Sequence, residues 1–186
     1  TGAELACPLR RNPAKPLARD LQNPHGNARQ EDEMSDEALM PSEVRRKVLS
    51  QHREIEQMLS ELEAGVAKLG EGSVDAAQVK RAAYALRGIL ELHMNFEEAH
   101  MVPAIHDADG FGPERVRHLH AEHADQRREL DRLVDAIREA RSPDSLVSTV
   151  STLAQMLRVD IEQEERDYVN EKLLSDNLIP SDPFGG

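Results

Sequence analysis

Four stretches of the sequence beyond residue 40 repeat apolar residues every three or four positions, and this pattern limits the fold more than any other feature. Such a step lines one face of a helix with apolar side chains that must be buried against a neighbour. Aromatic residues make up only 3% of the chain, which disfavours a sheet protein. The four stripes consist of Val44, Val48, Ile55, Leu59, Leu62, Val66 and Leu69; Val79, Leu86, Leu90, Met101 and Ile105; Val116, Leu130, Val134 and Ile137; and Leu146, Val150, Leu153, Leu157 and Tyr168. The pattern predicts an all-α fold.

Residues that start and stop helices bound the first two stripes. Ser42 is a suitable N-cap for the first helix, and Gly70 is a suitable end. The second helix is predicted to begin near Ser73 or Asp75. It should run past Pro103, whose ring and missing N–H disturb the last turn of a helix.

The last two stripes have equally clear ends. Pro113 suits the first turn of the third helix, which is predicted to end before Ser142. Ser142 is the predicted N-cap of the fourth helix, with Pro143 as its first residue, and this helix should run to about Asp176. Because the connections are short, neighbouring helices should be antiparallel, which predicts an up-down-up-down four-helix bundle.

The chain is predicted to consist of this bundle and two tails. Residues 1–40 are rich in Pro, Arg, Asn and Gln and show no sustained apolar period, which predicts a disordered or loosely packed N-terminal tail. The bundle is predicted over residues 41–176, and a short C-terminal tail over residues 177–186.

Charge and cysteine content argue against several classes of function. The chain has 35 acidic and 23 basic residues, a formal net charge of −12 that repels phosphate backbones and anionic lipid headgroups, so neither nucleic acid nor membrane is an expected partner. No apolar run approaches the roughly 20 residues of a membrane span. Cys7 is the single cysteine, which excludes an internal disulfide and a cysteine-rich zinc site. A reducing cytoplasm is therefore the expected location.

Each apolar stripe is interrupted, and a side chain that can bind metal occupies each interruption. Side chains four residues apart on a helix share one face, so a pair at this spacing can present two ligands to one point. The interrupting residues are His52 in the first stripe, His93 and Glu97 in the second, His120 and His123 in the third, and Asp160 and Glu164 in the fourth. The sequence therefore predicts a group of histidines and carboxylates within the bundle.

The depths of these residues along the helices agree with one another. At a rise of about 1.5 Å per residue, His52 lies roughly 15 Å from the start of its helix, and Asp160 and Glu164 lie roughly 15–21 Å from the end of theirs. The interrupting residues of the second and third helices lie roughly 10–17 Å from the corresponding ends. In an antiparallel bundle these distances place all of them in one layer.

Burying these ionisable groups together costs several kcal/mol unless a cation compensates them. Histidine nitrogen together with carboxylate oxygen suits iron, manganese or zinc, and Glu97 and Glu164 are well placed to bridge two ions. Each residue alone also fits another interpretation, since a buried histidine is often only a hydrogen-bonded core residue. Glu56, four residues after His52, is either a further carboxylate ligand or part of a solvated face.

Several of these segments resemble one known family. The segment from His93 to Glu98, with Val102 to Ile105 after it, resembles the second-helix signature of hemerythrin-like (HHE) cation-binding domains. Residues 50–52, 121–123 and 161–165 resemble the first, third and fourth helices of that family. The resemblance extends over residues 42 to 174.

This resemblance implies a non-haem di-iron centre that binds dioxygen, nitric oxide or peroxide, or that senses or handles iron. The family's ligand positions fall on His52, His93, Glu97, His123 and Glu164. Two departures are present in this chain. Asp160 stands where the family has a histidine, and Leu119 stands four residues before His123, where oxygen-carrying members have one. His120 is the candidate substitute for the second.

The departures favour some functions over others. A carboxylate in place of an imidazole stabilises the more oxidised metal, whereas reversible oxygen transport needs a reduced pair, so oxygen transport is disfavoured. Binding or sensing of a small molecule is the first hypothesis, with Asp160 either a ligand or the neighbour of an open coordination position. An oxidoreductase acting on peroxide or ferrous iron is the second. A helical interaction module without metal is the third.

Overall fold

The computed structural model describes residues 39–69 and 74–176, and these residues are mostly helical. A π-helical turn, Glu97–Met101, joins the second helix to the third, and no strand is present in the two described ranges. The helices are α1, Pro41–Leu69; α2, Ala76–Phe96; α3, Val102–His106; α4, Gly112–Glu139; and α5, Pro143–Asp167. The all-α prediction is confirmed, with four long helices where four stripes were found.

The four long helices contact one another pairwise. Helix α1 packs against α2 and α5, and α4 packs against the same two helices, while the short α3 lies against α4. The buried apolar residues form two clusters. One includes Ile55, Leu90, Leu130 and Leu157, and the other surrounds Met101.

The second cluster gathers the early part of α1, the turn before α3 and the residues that follow α5. Its buried members are Val44, Val48, Met101, Ile105, Leu119, Tyr168, Val169, Leu173 and Leu174. Along every long helix the residues predicted to bind metal stand between members of the two clusters. The two apolar clusters therefore flank the layer of polar residues on both sides along the helices.

Local signals account for the start of two helices. Asp75 accepts a hydrogen bond from Ala77 N at 3.2 Å, and Gln78 bonds back to Asp75 N, which together form a capping box. Ser142 accepts a hydrogen bond from Ser145 N at 3.2 Å at the start of α5, where Pro143 is the first residue. The predictions for Asp75 and Ser142 are confirmed.

The predicted cap of α1 is wrong, because the cap comes from the far end of the chain. Helix α1 begins at Pro41, one residue before Ser42. The Asp176 carboxylate accepts hydrogen bonds from the Ser42 backbone N at 2.9 Å and from its hydroxyl at 2.7 Å. A carboxylate at this position satisfies N–H groups that no earlier turn can pair and favours the positive end of the helix dipole.

Helix α5 ends at Asp167, not near Asp176 as the sequence predicted. The chain turns instead at Asn170, whose side-chain oxygen accepts hydrogen bonds from the backbone N–H groups of Lys172 and Leu173. This turn brings Leu173 and Leu174 back into the second apolar cluster. Burying two leucines offsets the loss of the continuing helix.

The proline in the second stripe is accompanied by a change of helix type. Val102 N–H bonds to Glu97 O, five residues back, in the turn that precedes Pro103. The predicted disturbance is therefore present, one turn earlier than the ring itself. The wide turn places both Glu97 and Met101 in the interior, where neither is exposed to solvent, and such turns are frequent at functional sites.

Two further sequence-based predictions concern regions at the edge of the described residues. The predicted N-terminal tail, except for residues 39 and 40, and the predicted C-terminal tail lie outside those residues. Among the helices that the structure describes, none combines the length and apolar character needed to cross a membrane.

Gly112, at the start of α4, tests how closely α4 approaches the turn before it. An added Cβ would lie 2.0 Å from the His106 carbonyl oxygen, which is backbone and cannot swing aside. We expect Gly112→Ala to lower the free energy of unfolding by about 3 kcal/mol. The control is Gly88→Ala, at an exposed position of α2 where no atom lies within 4 Å of an added Cβ. This substitution should raise the free energy of unfolding by about 0.5–1 kcal/mol. Thermal unfolding followed by circular dichroism measures both, and equal melting temperatures would contradict the expectation.

Candidate metal centre

Five polar residues are buried between the two apolar clusters. No other polar or charged residue in the described part of the chain is buried to the same degree. They come from α1, α2, the π-helical turn, α4 and α5, and are His52, His93, Glu97, His123 and Glu164. The structure thus brings together one layer of donors from all four long helices.

Four of these residues converge on a first position. The Nε2 atom of His52 lies 3.3 Å from Glu164 Oε2 and 4.0 Å from Glu97 Oε1. The Nε2 atom of His93 lies 3.8 Å and 3.5 Å from the same two oxygens. One ligand atom from each residue lies within 4.8 Å of the other three. Donors held about 2.1 Å from one ion in tetrahedral order are about 3.4 Å apart, so this spacing suits a single cation.

The other oxygens of the same carboxylates face a second position. The Nε2 atom of His123 lies 3.3 Å from Glu97 Oε2 and 3.6 Å from Glu164 Oε1. Each carboxylate therefore turns one oxygen toward the two histidines of the first position and one toward His123. A carboxylate that offers its two oxygens to two different sides is arranged to bridge two cations.

In each of the three buried histidines, the second ring nitrogen forms a hydrogen bond to a neighbouring side chain. Nδ1 of His52 donates to Glu165 Oε1 at 2.9 Å, and Nδ1 of His93 donates to Gln51 Oε1 at 3.0 Å. Nδ1 of His123 donates to Glu98 Oε1 at 2.9 Å. Because these oxygens can only accept, each Nδ1 carries a hydrogen, which leaves Nε2 as the nitrogen available to bind a metal at the centre. This arrangement is typical of histidines that bind metal.

Among the three partners, Glu98 is itself held by a cation. Arg127 Nη1 lies 2.8 Å from Glu98 Oε1, and the arginine, with His123, lowers the pKa of the Glu98 carboxyl against the opposing effect of burial. Glu98 thus stays ionised and fixes the His123 ring. The sequence did not identify Glu98, Glu165 or Gln51 as part of the site. Each of the three directly precedes or follows a donor residue, a signal that could have identified them.

Four atoms of the buried donor residues lack a hydrogen-bond partner within the protein. Both Glu97 oxygens, His52 Nε2 and His123 Nε2 are buried without a hydrogen bond of acceptable geometry. Leaving such groups unpaired costs about 1–3 kcal/mol each. A cation at each position would satisfy all of them, so the residues present fit the metal pair that the sequence predicts.

The charges of the site are strongly coupled. Burial and the facing charge of Glu164 raise the pKa of Glu97. Burial works against the charged forms of His123 and Glu164, but their mutual contact, with the help of the other donors, raises the pKa of His123 to about 10 and lowers that of Glu164 well below its ordinary value. Contact with Glu164 likewise outweighs burial and raises the pKa of His52. Each carboxylate therefore needs positive charge beside it.

Asp160 lies beside this layer but outside the four-residue group. It is half-buried, and its Oδ2 has no hydrogen-bond partner. Burial raises its pKa to about 6, against a hydrogen bond from Gln126 that lowers it. Asp160 lines two cavities, one beside His123 and Glu164 and one beside His93 and Glu164.

Two weaker candidates from the sequence lie away from the donors. His120 is exposed on α4, because three residues turn a helix through about 300° and leave it roughly 60° away from the inward direction of His123. It does not replace the missing histidine. Glu56 is half-buried and faces α5, where Arg158 Nε lies 3.1 Å from its Oε2. It belongs to an ion pair between helices.

Two cavities reach the centre. The larger, about 270 Å³ and open to solvent between α4 and α5, is lined by carboxylates and extends to His123 and Glu164. We call it the acidic cleft. The smaller, about 20 Å³, lies against His93 and Glu164, and is lined mainly by apolar side chains. It has room for about one water-sized molecule.

Comparison with known proteins agrees with this geometry. Searches of curated proteins and of solved structures found no match. The sequence model of the Hemerythrin HHE cation binding domain matches residues 44–171. That range includes all five buried donors and all of the helices except the first three residues of α1. The chain therefore belongs to the hemerythrin HHE cation-binding domain family.

Proposed function

We propose that this protein binds two metal ions, most simply iron, and uses them to bind or sense dioxygen, nitric oxide, peroxide or iron itself. The observation that carries the proposal is the division of Glu97 and Glu164. Each carboxylate offers one oxygen to the His52 and His93 side and the other to the His123 side. A site for one ion would not need this division.

The donor set narrows the choice of metal. Imidazole nitrogen with carboxylate oxygen, and no thiolate, suits iron, manganese or zinc. Bound ions would supply Lewis-acid chemistry and, for iron or manganese, electron transfer to a small ligand. The protein's own residues keep the histidines in one tautomer and exclude bulk water from the first position, where His52, His93 and Glu97 are at most 5% exposed.

The cavity beside the first position limits the size of a ligand there. At about 20 Å³ it admits one small molecule. The walls include Ile55, Leu90, Met94, Leu130 and Leu157. An apolar wall of this size suits a diatomic molecule rather than an organic substrate.

An oxidoreductase acting on peroxide or ferrous iron is the second candidate. The acidic cleft favours it, because it would let a polar or charged reactant reach the His123 side from solvent. The same fold and metal-binding residues would then support repeated conversion of peroxide or ferrous iron rather than retention of a bound small molecule.

We also infer the up-down-up-down order of the helices. Consecutive helices α4 and α5 pack against each other and are joined only by residues 140–142. A connection this short returns the chain along its neighbour, so the two helices should be antiparallel. The meeting of His52, His93, His123 and Glu164 in one layer supports the same order for the other pairs.

Metal stoichiometry tests the two-ion site. We expect the protein loaded anaerobically with ferrous iron to retain two ions per chain after gel filtration. His52→Ala should lose iron, with affinity reduced by more than the roughly 10- to 100-fold typical of outer contacts, because a ligand is removed. His120→Ala is the matched control and should retain both ions, since His120 is exposed. One ion per chain in the wild type, or equal loss from both variants, would contradict the assignment.

Removal of metal tests whether the ions belong to the folded state. At free metal about 100 times the dissociation constant, binding to the folded chain alone should add about 2.7 kcal/mol to the free energy of unfolding. We therefore expect a chelator to lower the melting temperature, measured by circular dichroism. An unchanged melting temperature would favour the metal-free interaction module instead.

The response to peroxide separates the first two candidates. After anaerobic loading with iron, the protein is given hydrogen peroxide, and both its absorption spectrum and the remaining peroxide are followed. We expect a stable spectral change with little peroxide consumed. Continued consumption over many equivalents would support the oxidoreductase, and the His52→Ala variant measures the background from free iron.

A further inference from the structure

The acidic cleft gives solvent a direct path to one side of the centre. It lies between α4 and α5 and extends to His123 and Glu164. No lysine or arginine is among its lining residues. Its lining carboxylates are Glu122, Asp125, Glu129, Asp160, Glu164 and Asp167. The walls of the cleft therefore carry one sign of charge.

The charge is concentrated toward the interior. At the rim, ion pairs with Arg128, Arg132 and Arg166 neutralise Asp125, Glu129 and Asp167 respectively. Glu122 and Asp160 differ, because no lysine or arginine in the described ranges forms an ion pair with either of them. The uncompensated negative charge thus lies along the path from solvent to His123.

Glu122 is held in place at this path. The Tyr168 hydroxyl donates to Glu122 Oε2 at 2.9 Å and so ties α4 to the residue directly after α5. Tyr168 is only 7% exposed. The bond keeps one carboxylate oxygen fixed on α4 beside the cleft and leaves the other without a partner from a basic side chain.

Buried atoms at the inner end lack partners. His123 is 1% exposed, lines the cleft, and has no hydrogen-bond partner for Nε2. Asp160 Oδ2 is also buried without a partner. Imidazole nitrogen and carboxylate oxygen both serve as ligands for a metal cation and not for an anion.

The two positions of the centre are unequal. The first position has two histidine nitrogens and two carboxylate oxygens, and the cavity against it holds about 20 Å³. The second has one histidine nitrogen, two carboxylate oxygens and the open cleft of about 270 Å³. An ion at the second position therefore has fewer protein ligands and a path to solvent.

We propose that the acidic cleft is the route by which a divalent cation enters and leaves the second position, so that this ion exchanges while the ion at the first position is retained. The inference rests on the two-ion site proposed above. It names the substrate class of the cleft as a divalent cation and makes Glu122 and Asp160 the residues that guide it. A cleft of one charge raises the local concentration of counter-ions and repels anions.

Cobalt(II) is a suitable probe, because its visible absorption reports each binding event without turnover. Metal-free protein is mixed with cobalt(II) in a stopped-flow instrument, and loaded protein is then mixed with a chelator. We expect two phases in each direction, one ion per phase. The ion at the second position should be lost at least about 10-fold faster than the ion at the first, because it has one protein ligand fewer and even outer contacts change metal affinity by roughly 10- to 100-fold.

Substitutions in the acidic cleft should change only the kinetic phase that belongs to the exchanging ion. Glu122→Gln and Asp160→Asn should each slow uptake of the exchanging ion by about 3- to 10-fold at low ionic strength. At about 1 M salt, where charges are screened beyond about 3 Å, the difference for Glu122→Gln should largely disappear. The matched control is Glu61→Gln, an exposed carboxylate on α1 that accepts a hydrogen bond from Gln57, and it should load like the wild type.

The outcomes separate this inference from the proposed function. Two bound cobalt ions that exchange at one rate, or cleft variants that load like Glu61→Gln, would overturn the route and leave the two-ion site intact. A protein that binds no cobalt and no iron would overturn both. Melting temperatures of all variants, measured without metal, show whether any change in rate arises from misfolding.

Discussion

Two carboxylates, Glu97 and Glu164, lie close together in the space between the helices. Burial opposes the charge of both, and repulsion from Glu164 further opposes the charge of Glu97. Three imidazoles surround them, and each imidazole has its second nitrogen held by an acceptor from another helix. Because several of these buried atoms lack a hydrogen-bond partner, the layer fits a bound metal cation. The apolar clusters on either side hold the helices at the heights that bring the donors together.

Two irregular features of the backbone lie near the layer of metal-binding residues. The π-helical turn begins at Glu97 itself and leaves both Glu97 and Met101 fully buried. After α5 the chain turns at Asn170 and returns to cap α1 through Asp176. Both irregular features contribute to the second apolar cluster, through Met101 in the turn and through Leu173 and Leu174 after Asn170.

The unequal environment of the two positions links geometry to function. In the two-ion site that we propose, the closed first position beside the smaller cavity would retain its ion and a small neutral ligand, whereas the second position, open to the acidic cleft, would exchange its cation. Asp160, which stands where the family has a histidine, lines both the acidic cleft and the smaller cavity, so this carboxylate borders both sides of the centre.

Much of this was readable from the sequence, because helical periodicity is a local property. The spacing of apolar residues determined the four long helices, and the interruptions identified all five buried donors. Tertiary packing decided the rest. It separated His123 from exposed His120, assigned Glu56 to Arg158, and ended α5 at Asp167. Contacts such as His52 with Glu165 and Ser42 with Asp176 join residues 113 and 134 positions apart. Such contacts depend on the rotation and height of whole helices, which no local pattern contains.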